Sequence, residues 1–194
     1  MITQEKQNKI NQAISYMKVA TELVRRSFSI PAPKKIITKE QLSSLVRERL
    51  SIVPMLFDYK YHLISFSDWE AILNNWWENN NVNNKYTYDV RDCDNFAFNF
   101  ASTCSKMFGL NSAGVVGGGN LYWHDKSKPN GVAEGRHAFT CIVALNENNE
   151  PDLYLFEPMH NVFTRVTGQS TIINNNPMTA DGWTKYEPDS LLFF

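Results

Sequence analysis

Among the three cysteines of this 194-residue chain, one stands where a thiol does chemistry. Cys93 follows Asp92, a residue type that caps helix N-termini. After it come Phe96, Ala97, Phe100, Ala101, Cys104 and Met107, at three- and four-residue steps. That spacing predicts a helix over Asp92–Met107 with one buried stripe. Cys93 then sits in the first turn, at the positive end of the helix, which favours thiolate, the nucleophilic form. Cys104 falls within the apolar stripe, and Cys141 falls among Phe139, Ile142 and Val143. Both read as inert packing.

A thiol nucleophile needs an imidazole beside it, and the imidazole needs a third group to orient it. Among four histidines, His137 opens the β-rich stretch Arg136–Leu145, and Glu157 closes the stretch Asp152–Glu157. The segment Asn146–Glu150 between them has turn composition. A hairpin folding near residue 147 sets 142 opposite 152, 140 opposite 154 and 137 opposite 157. His137 and Glu157 are then expected as direct cross-strand neighbours on one face, together with Phe139 and Leu155. Each residue also has a plainer role: a packed thiol, an edge histidine, a strand-ending glutamate. Order and pairing together favour a Cys–His–Glu constellation.

Three short motifs carry a resemblance. Asp92-Cys93-Asp94-Asn95-Phe96-Ala97, then Gly135-Arg136-His137-Ala138-Phe139, then Phe156-Glu157-Pro158, resemble the protease domain of the Marasmius-type fungal agglutinin family. They are also similar to transglutaminase-like cysteine peptidases of bacteria and phages. The spacings, 44 residues from Cys93 to His137 and 20 from His137 to Glu157, look like the family's. The likeness spans roughly residues 60–165. It implies a papain-like fold of the α+β class, with the Cys-bearing helix packed on an antiparallel sheet that carries the His and Glu. It implies a cysteine peptidase acting on protein or peptide substrates, with Cys93, His137 and Glu157 as the catalytic residues. The family's protease is calcium-dependent, which makes Asp92 and Asp94 candidate calcium ligands. Asn95 stands where the family has an aspartate, and Asp92 and Asp94 serve equally well as helix cap and helix-dipole partner. The resemblance also implies an oxyanion donor upstream of the cysteine. The stretch Lys85–Arg91 has no glutamine, leaving Asn84, Tyr86 or Tyr88.

The rest of the chain must position these residues. Ile10, Ala13, Ile14, Met17, Leu23 and Val24 predict an amphipathic helix over residues 4–28, broken by Ile30-Pro31-Ala32-Pro33. Residues 1–35 are expected to form an N-terminal helical arm, able to dock a protein partner, and 36–194 the main domain. Thr38 with Gln41, and Ser67 with Glu70, have the capping-box pattern. Asn79–Asn84 reads as a polar loop and Gly114–Gly119 as a flexible connection. Val162–Val166 and Ile172–Ile173 are candidate further strands. Helices first and strands after is the α+β order.

Composition excludes some functions. Nineteen Lys and Arg against twenty Asp and Glu give a net charge of −1, too little positive charge for a nucleic-acid partner. No run of about 18 apolar residues provides a membrane span. The N-terminus MITQEKQNKINQ has no apolar signal core, so the expected setting is cytoplasmic, or a virus particle. Cys93, His124, His137 and Cys141 lack zinc-ligand spacing. Two readings remain. One is a thiol hydrolase for peptide or isopeptide bonds, with transfer to an amine using the same parts. The other is a catalytically silent domain serving as a structural component of an assembly such as a phage particle. The missing upstream glutamine and the apolar ending Leu191–Phe194, read as an exposed contact surface, favour the second.

Overall fold

The computed structural model describes residues 3–27, 32–80, 92–124, 127–129, 131–169, 171–174 and 183–193. The chain divides into two compact units, Met1–Ala32 and Pro33–Phe194. The first is a single helix, α1 (Gln4–Ser27). Side chains four apart meet along it: Glu5 with Lys9 at 2.7 Å, Gln4 with Asn8 and Gln7 with Asn11 at 3.2 Å. Such pairs contribute about 0.2–0.5 kcal/mol each. Of the expected break, Ile30 and Pro31 lie outside the described residues.

The second unit begins with strand β1 (Lys35–Thr38) and helix α2 (Lys39–Leu50). The expected capping box forms: Thr38 Oγ1 accepts the Gln41 amide at 3.3 Å, and Gln41 Oε1 accepts the Thr38 amide at 2.9 Å. Leu42, Val46 and Leu50, four residues apart, are the buried stripe of α2. Two short strands follow, β2 (Met55–Leu56) and β3 (Lys60–Leu63), then helix α3 (Phe66–Asn80). Its first turn is capped by Ser65, whose hydroxyl accepts the Asp68 amide at 3.3 Å, and not by Ser67 as its spacing to Glu70 suggested. Asn79 and Asn80 close α3, and residues 81–84 of the expected loop lie outside the described residues.

Helix α4 (Cys93–Thr103) starts where expected but stops four residues early. Residues Cys104–Phe108 form one wider π turn, closed by Gly109 at φ 65°. Strands β4 (Ala113–His124), β5 (Val132–Leu145), β6 (Pro151–Glu157), β7 (Val162–Arg165), β8 (Thr171–Asn174), β9 (Trp183–Glu187) and β10 (Ser190–Phe193) follow. β1 and β3 pair as a small antiparallel sheet. The other eight strands form one sheet along β2-β10-β4-β5-β6-β7, with β9 on the far part of β4 and β8 on β9.

Two features correct the expected α+β papain-like fold with its all-antiparallel sheet. The sheet is mixed, because β2 and β10 pair in parallel. Strands also interleave with helices along the chain instead of following them. The cause is brevity: β1, β2 and β3 have four, two and four residues, too few to show a period. The C-terminal segment is likewise not an exposed surface. Leu191 and Phe193 are 3% and 0% exposed, inside the sheet between β2 and β4. Nor is Gly114–Gly119 a flexible connection, for it lies within β4.

α4 packs on β5 through Phe96, Ala97, Phe100 and Ala101, all buried. Phe100 meets Trp76 edge-on at 5.1 Å and Phe156 at 4.8 Å. Thr140 Oγ1 donates to the Ala97 carbonyl at 3.4 Å, tying the helix to the strand one turn beyond Cys93. Among the described residues, no helix is long and apolar enough to cross a membrane.

Candidate active site

Cys93 is the first residue of α4, after Asp92 in extended geometry at φ −117°. Asn95 Oδ1 accepts the Asp92 amide at 3.2 Å, which seats the start of the helix. Cys93 is partly exposed, whereas Cys104 and Cys141 are both 0% exposed. Burial pushes both of those thiols well above their ordinary range. Only Cys93 therefore offers a reachable sulfur.

The Cys93 thiol faces the same cleft as His137, near enough to help raise the imidazole's pKa. His137 Nε2 in turn meets Glu157 Oε2 in a short hydrogen bond. The structure thus brings together all three residues singled out by sequence. The register is not the expected one. Thr140 pairs with Phe156, and Ile142 with Tyr154, so the ladder is displaced by two residues. His137 and Glu157 meet along the diagonal rather than face to face. A two-residue displacement keeps every side chain on its face, so the pair survives.

Glu157 is held from its other side. Its Oε1 accepts the Met159 amide at 2.9 Å, as the chain turns back at Pro158-Met159-His160. Pro158 keeps its predecessor extended, and Asn161 completes the turn at φ 52°. Both carboxylate oxygens are therefore engaged, and the group is 1% exposed. Burial opposes charge on His137, but its interactions with Cys93 and Glu157 outweigh it. The imidazole is pushed up to about 9 and holds its proton at neutral pH. Burial lowers the neighbouring His160, with Glu157 partly offsetting it.

Cys93 and His137 open onto a cleft of about 360 Å³. Asp94 and Phe98 of α4 form one wall, and Ser190 and Leu192 of β10 line it with Gly117 and Gly118. These glycines form a β-bulge: the β4–β5 register shifts between Val116↔Phe139 and Gly119↔His137. Gly118 takes φ 72°, and a Cβ there would lie 2.5 Å from Asp189 Oδ1 and 2.7 Å from the Arg136 guanidinium. Arg136 and Asp189 pair across the bulge at 2.8 Å. Sequence reasoning missed this bulge, although three successive glycines before alternating Leu121 and Trp123 were a signal for one.

Of the two candidate calcium ligands, Asp92 is the N-cap residue of α4 and Asp94 lies in its first turn. Asp94 Oδ1 accepts the Asn95 amide at 2.8 Å, a helix-start role. Among the described residues, no group of three or more His, Cys, Asp or Glu is placed to hold a metal ion, whereas calcium takes six to eight oxygens. The oxyanion candidates Asn84, Tyr86 and Tyr88 lie outside the described residues.

No protein-family model and no curated protein matches the chain. Solved structures do. One is a Polyporus squamosus lectin bound to a human-type influenza-binding epitope, at 17% identity and a TM-score of 0.50, covering 83% of this chain and 50% of the lectin chain. Another is a PSL1a–E64 complex, at 17% identity and a TM-score of 0.48, covering 83% of this chain and 51% of that one. The chain thus spans about half the length of the solved chains it matches. At this identity the first likeness speaks to fold alone. With the mixed sheet, it replaces the papain-like fold expected from the motifs by the mixed fold shared with half of a lectin chain.

Proposed function

We propose that this protein is a thiol hydrolase acting on peptide or isopeptide bonds. The observation that carries the reading is the placement of the reachable Cys93 thiol on one cleft with His137, whose imidazole bonds the buried Glu157. In this reading the Cys93 proton resides on His137, and Glu157 holds the imidazolium by its Nε2. With Nε2 so engaged, Nδ1 is the nitrogen left to face the thiol. The Cys93 sulfur attacks the substrate carbonyl carbon, and His137 passes its proton to the departing amine as the C–N bond breaks. A thioester remains on Cys93. Water then gives a proton to His137 and adds to the thioester, and the C–S bond breaks to release the acid and restore the Cys93 thiolate beside the protonated imidazole. An amine in place of that water gives transfer with the same residues. The resemblance of Asp92–Ala97 and its partner motifs to the protease domain of the Marasmius-type agglutinins supports this reading. Leu191 and Phe193 are buried, so they offer no exposed apolar surface of the kind a silent scaffold would dock through.

Incubation with a denatured protein mixture, followed by mass spectrometry of the products, tests the proposal. New termini that appear with the wild type and vanish with Cys93→Ala support it. Identical product lists from the two proteins overturn it.

A further inference from the structure

A buried hydroxyl lies against the backbone of His137. Tyr186 of β9 is 0% exposed, and its Oη donates to the His137 backbone carbonyl at 3.0 Å. The same hydroxyl lies against Gly119, where an added Cβ would come within 2.6 Å of it. Gly119 and His137 are the pair at which the β4–β5 ladder resumes after the bulge. One phenol therefore bridges the two strands at the point where their regular pairing is interrupted.

Tyr186 reaches that point because Gly119 lets it pass. Tyr186 pairs with Leu121 on the other edge of β4, so its ring must cross β4 to reach β5. A Cβ on Gly119 would lie 2.6 Å from both Cζ and Oη of the ring. The ring also meets Phe139 edge-on at 4.6 Å, and Phe139 meets the His137 imidazole at 4.7 Å. The base is thus gripped twice by one residue: its carbonyl directly, and its ring through Phe139.

We infer that Tyr186 is a positioning residue, which holds His137 where a single imidazole reaches both the Cys93 thiol and the Glu157 carboxylate. The inference rests on the thiol-hydrolase reading of that site. The bulge interrupts the β4–β5 ladder between Phe139 and His137, and the β5–β6 ladder extends only as far as Thr140. Tyr186 adds a restraint there with a bond no other side chain makes to this carbonyl among the described contacts. Misplacing a reacting group by about 1 Å can cost on the order of 10²-fold in rate, so a backbone anchor at this residue has leverage.

The test uses the rate at which iodoacetamide alkylates Cys93, which needs no knowledge of the substrate. Tyr186→Phe keeps the ring and deletes the hydroxyl. It should slow alkylation at neutral pH about fivefold, the factor one hydrogen bond of ordinary net strength is worth. The pH at which labelling rises should move upward. Gly119→Ala keeps the hydroxyl and displaces the ring, and should give the same signature. Tyr61→Phe removes another buried tyrosine hydroxyl, one that bonds the Asp58 amide away from the site, and should leave the profile unchanged. A Tyr186→Phe protein with a lower Tm but wild-type labelling rate and pH profile would overturn the inference, reducing Tyr186 to packing. If His137→Ala also labels like wild type, thiol and imidazole are uncoupled, and the hydrolase reading falls together with this one.

Discussion

Glu157 divides its two carboxylate oxygens between His137 and the amide of Met159, its own neighbour two residues along. The carboxylate is therefore fixed by its own chain before it meets the imidazole. Glu157→Gln keeps the shape of this arrangement but removes the charge. The His137 pKa should fall from about 9 by one to two units, the worth of a charge-assisted hydrogen bond. A histidine ring-proton titration by NMR reads this directly, and a midpoint unchanged from wild type would show that Glu157 does not hold the imidazolium.

Folding should be coupled to the same proton. The folded-state pKa of His137 is raised above the ordinary value of 6.5 to about 9. A raised pKa means the folded state binds the proton more tightly than the unfolded one. The stability gained is fully present below about pH 6.5 and is lost as pH rises through about 9. Urea midpoints for wild type and His137→Asn should therefore converge between pH 6.5 and 9.5, since groups common to both proteins cancel. A gap that stays constant over that range contradicts the linkage.

Thiol counting separates the cysteines. Under native conditions at mildly acidic to neutral pH, one alkyl group should add, at Cys93. In strong denaturant three should add, because Cys104 and Cys141 are shielded only by the fold. Peptide mapping of the native adduct gives the site, and native labelling at Cys104 or Cys141 would contradict the burial.

Gly114 pairs with Phe193, and a Cβ there would lie 2.4 Å from the Leu192 carbonyl and 2.7 Å from the Phe193 ring. Gly114→Ala should destabilise the unit by roughly 1–3 kcal/mol, the usual cost of overpacking. That corresponds to a Tm loss of about 2–4 °C per kcal/mol in a chain of this size. Gly131→Ala meets nothing within 4 Å and bears only the strain of φ 71°, so it should cost less. Equal losses for the two would discount the crowding at β10.

The elements readable in the sequence were those whose signal is local. Asp92 before an amphipathic run announced the start of α4, and Thr38 with Gln41 announced α2. The parity of His137 and Glu157 followed from alternation alone. The register did not, because it depends on the turn. Asn146 Oδ1 accepts the amides of Asn148 and Glu150, and Asn149 takes φ 59°, which centres the turn on residue 148. A centre moved by one residue displaces every pair by two. Three glycines looked like slack because a bulge is defined by the strand beside it, here the His137–Phe139 stretch of β5 about twenty residues further on. The apolar run at Leu191–Phe193 looked like an exposed patch for the same reason: only its distant partners β2 and β4 show it to be interior.

The parallel pairing of Leu192 with Met55 joins strands from opposite ends of the Pro33–Phe194 unit. Helix α4 and strands β4, β5 and β6 are by contrast neighbours along the chain, and they already contain Cys93, His137 and Glu157. Contacts between distant segments bear the larger loop-closure entropy and form late. The three reactive groups can thus meet in an early folding nucleus, while the wall made by Ser190 and Leu192 is still missing. Thiol reactivity should appear during refolding before the groove that selects what reaches it, at the reduced rate expected until β9 brings Tyr186 onto His137.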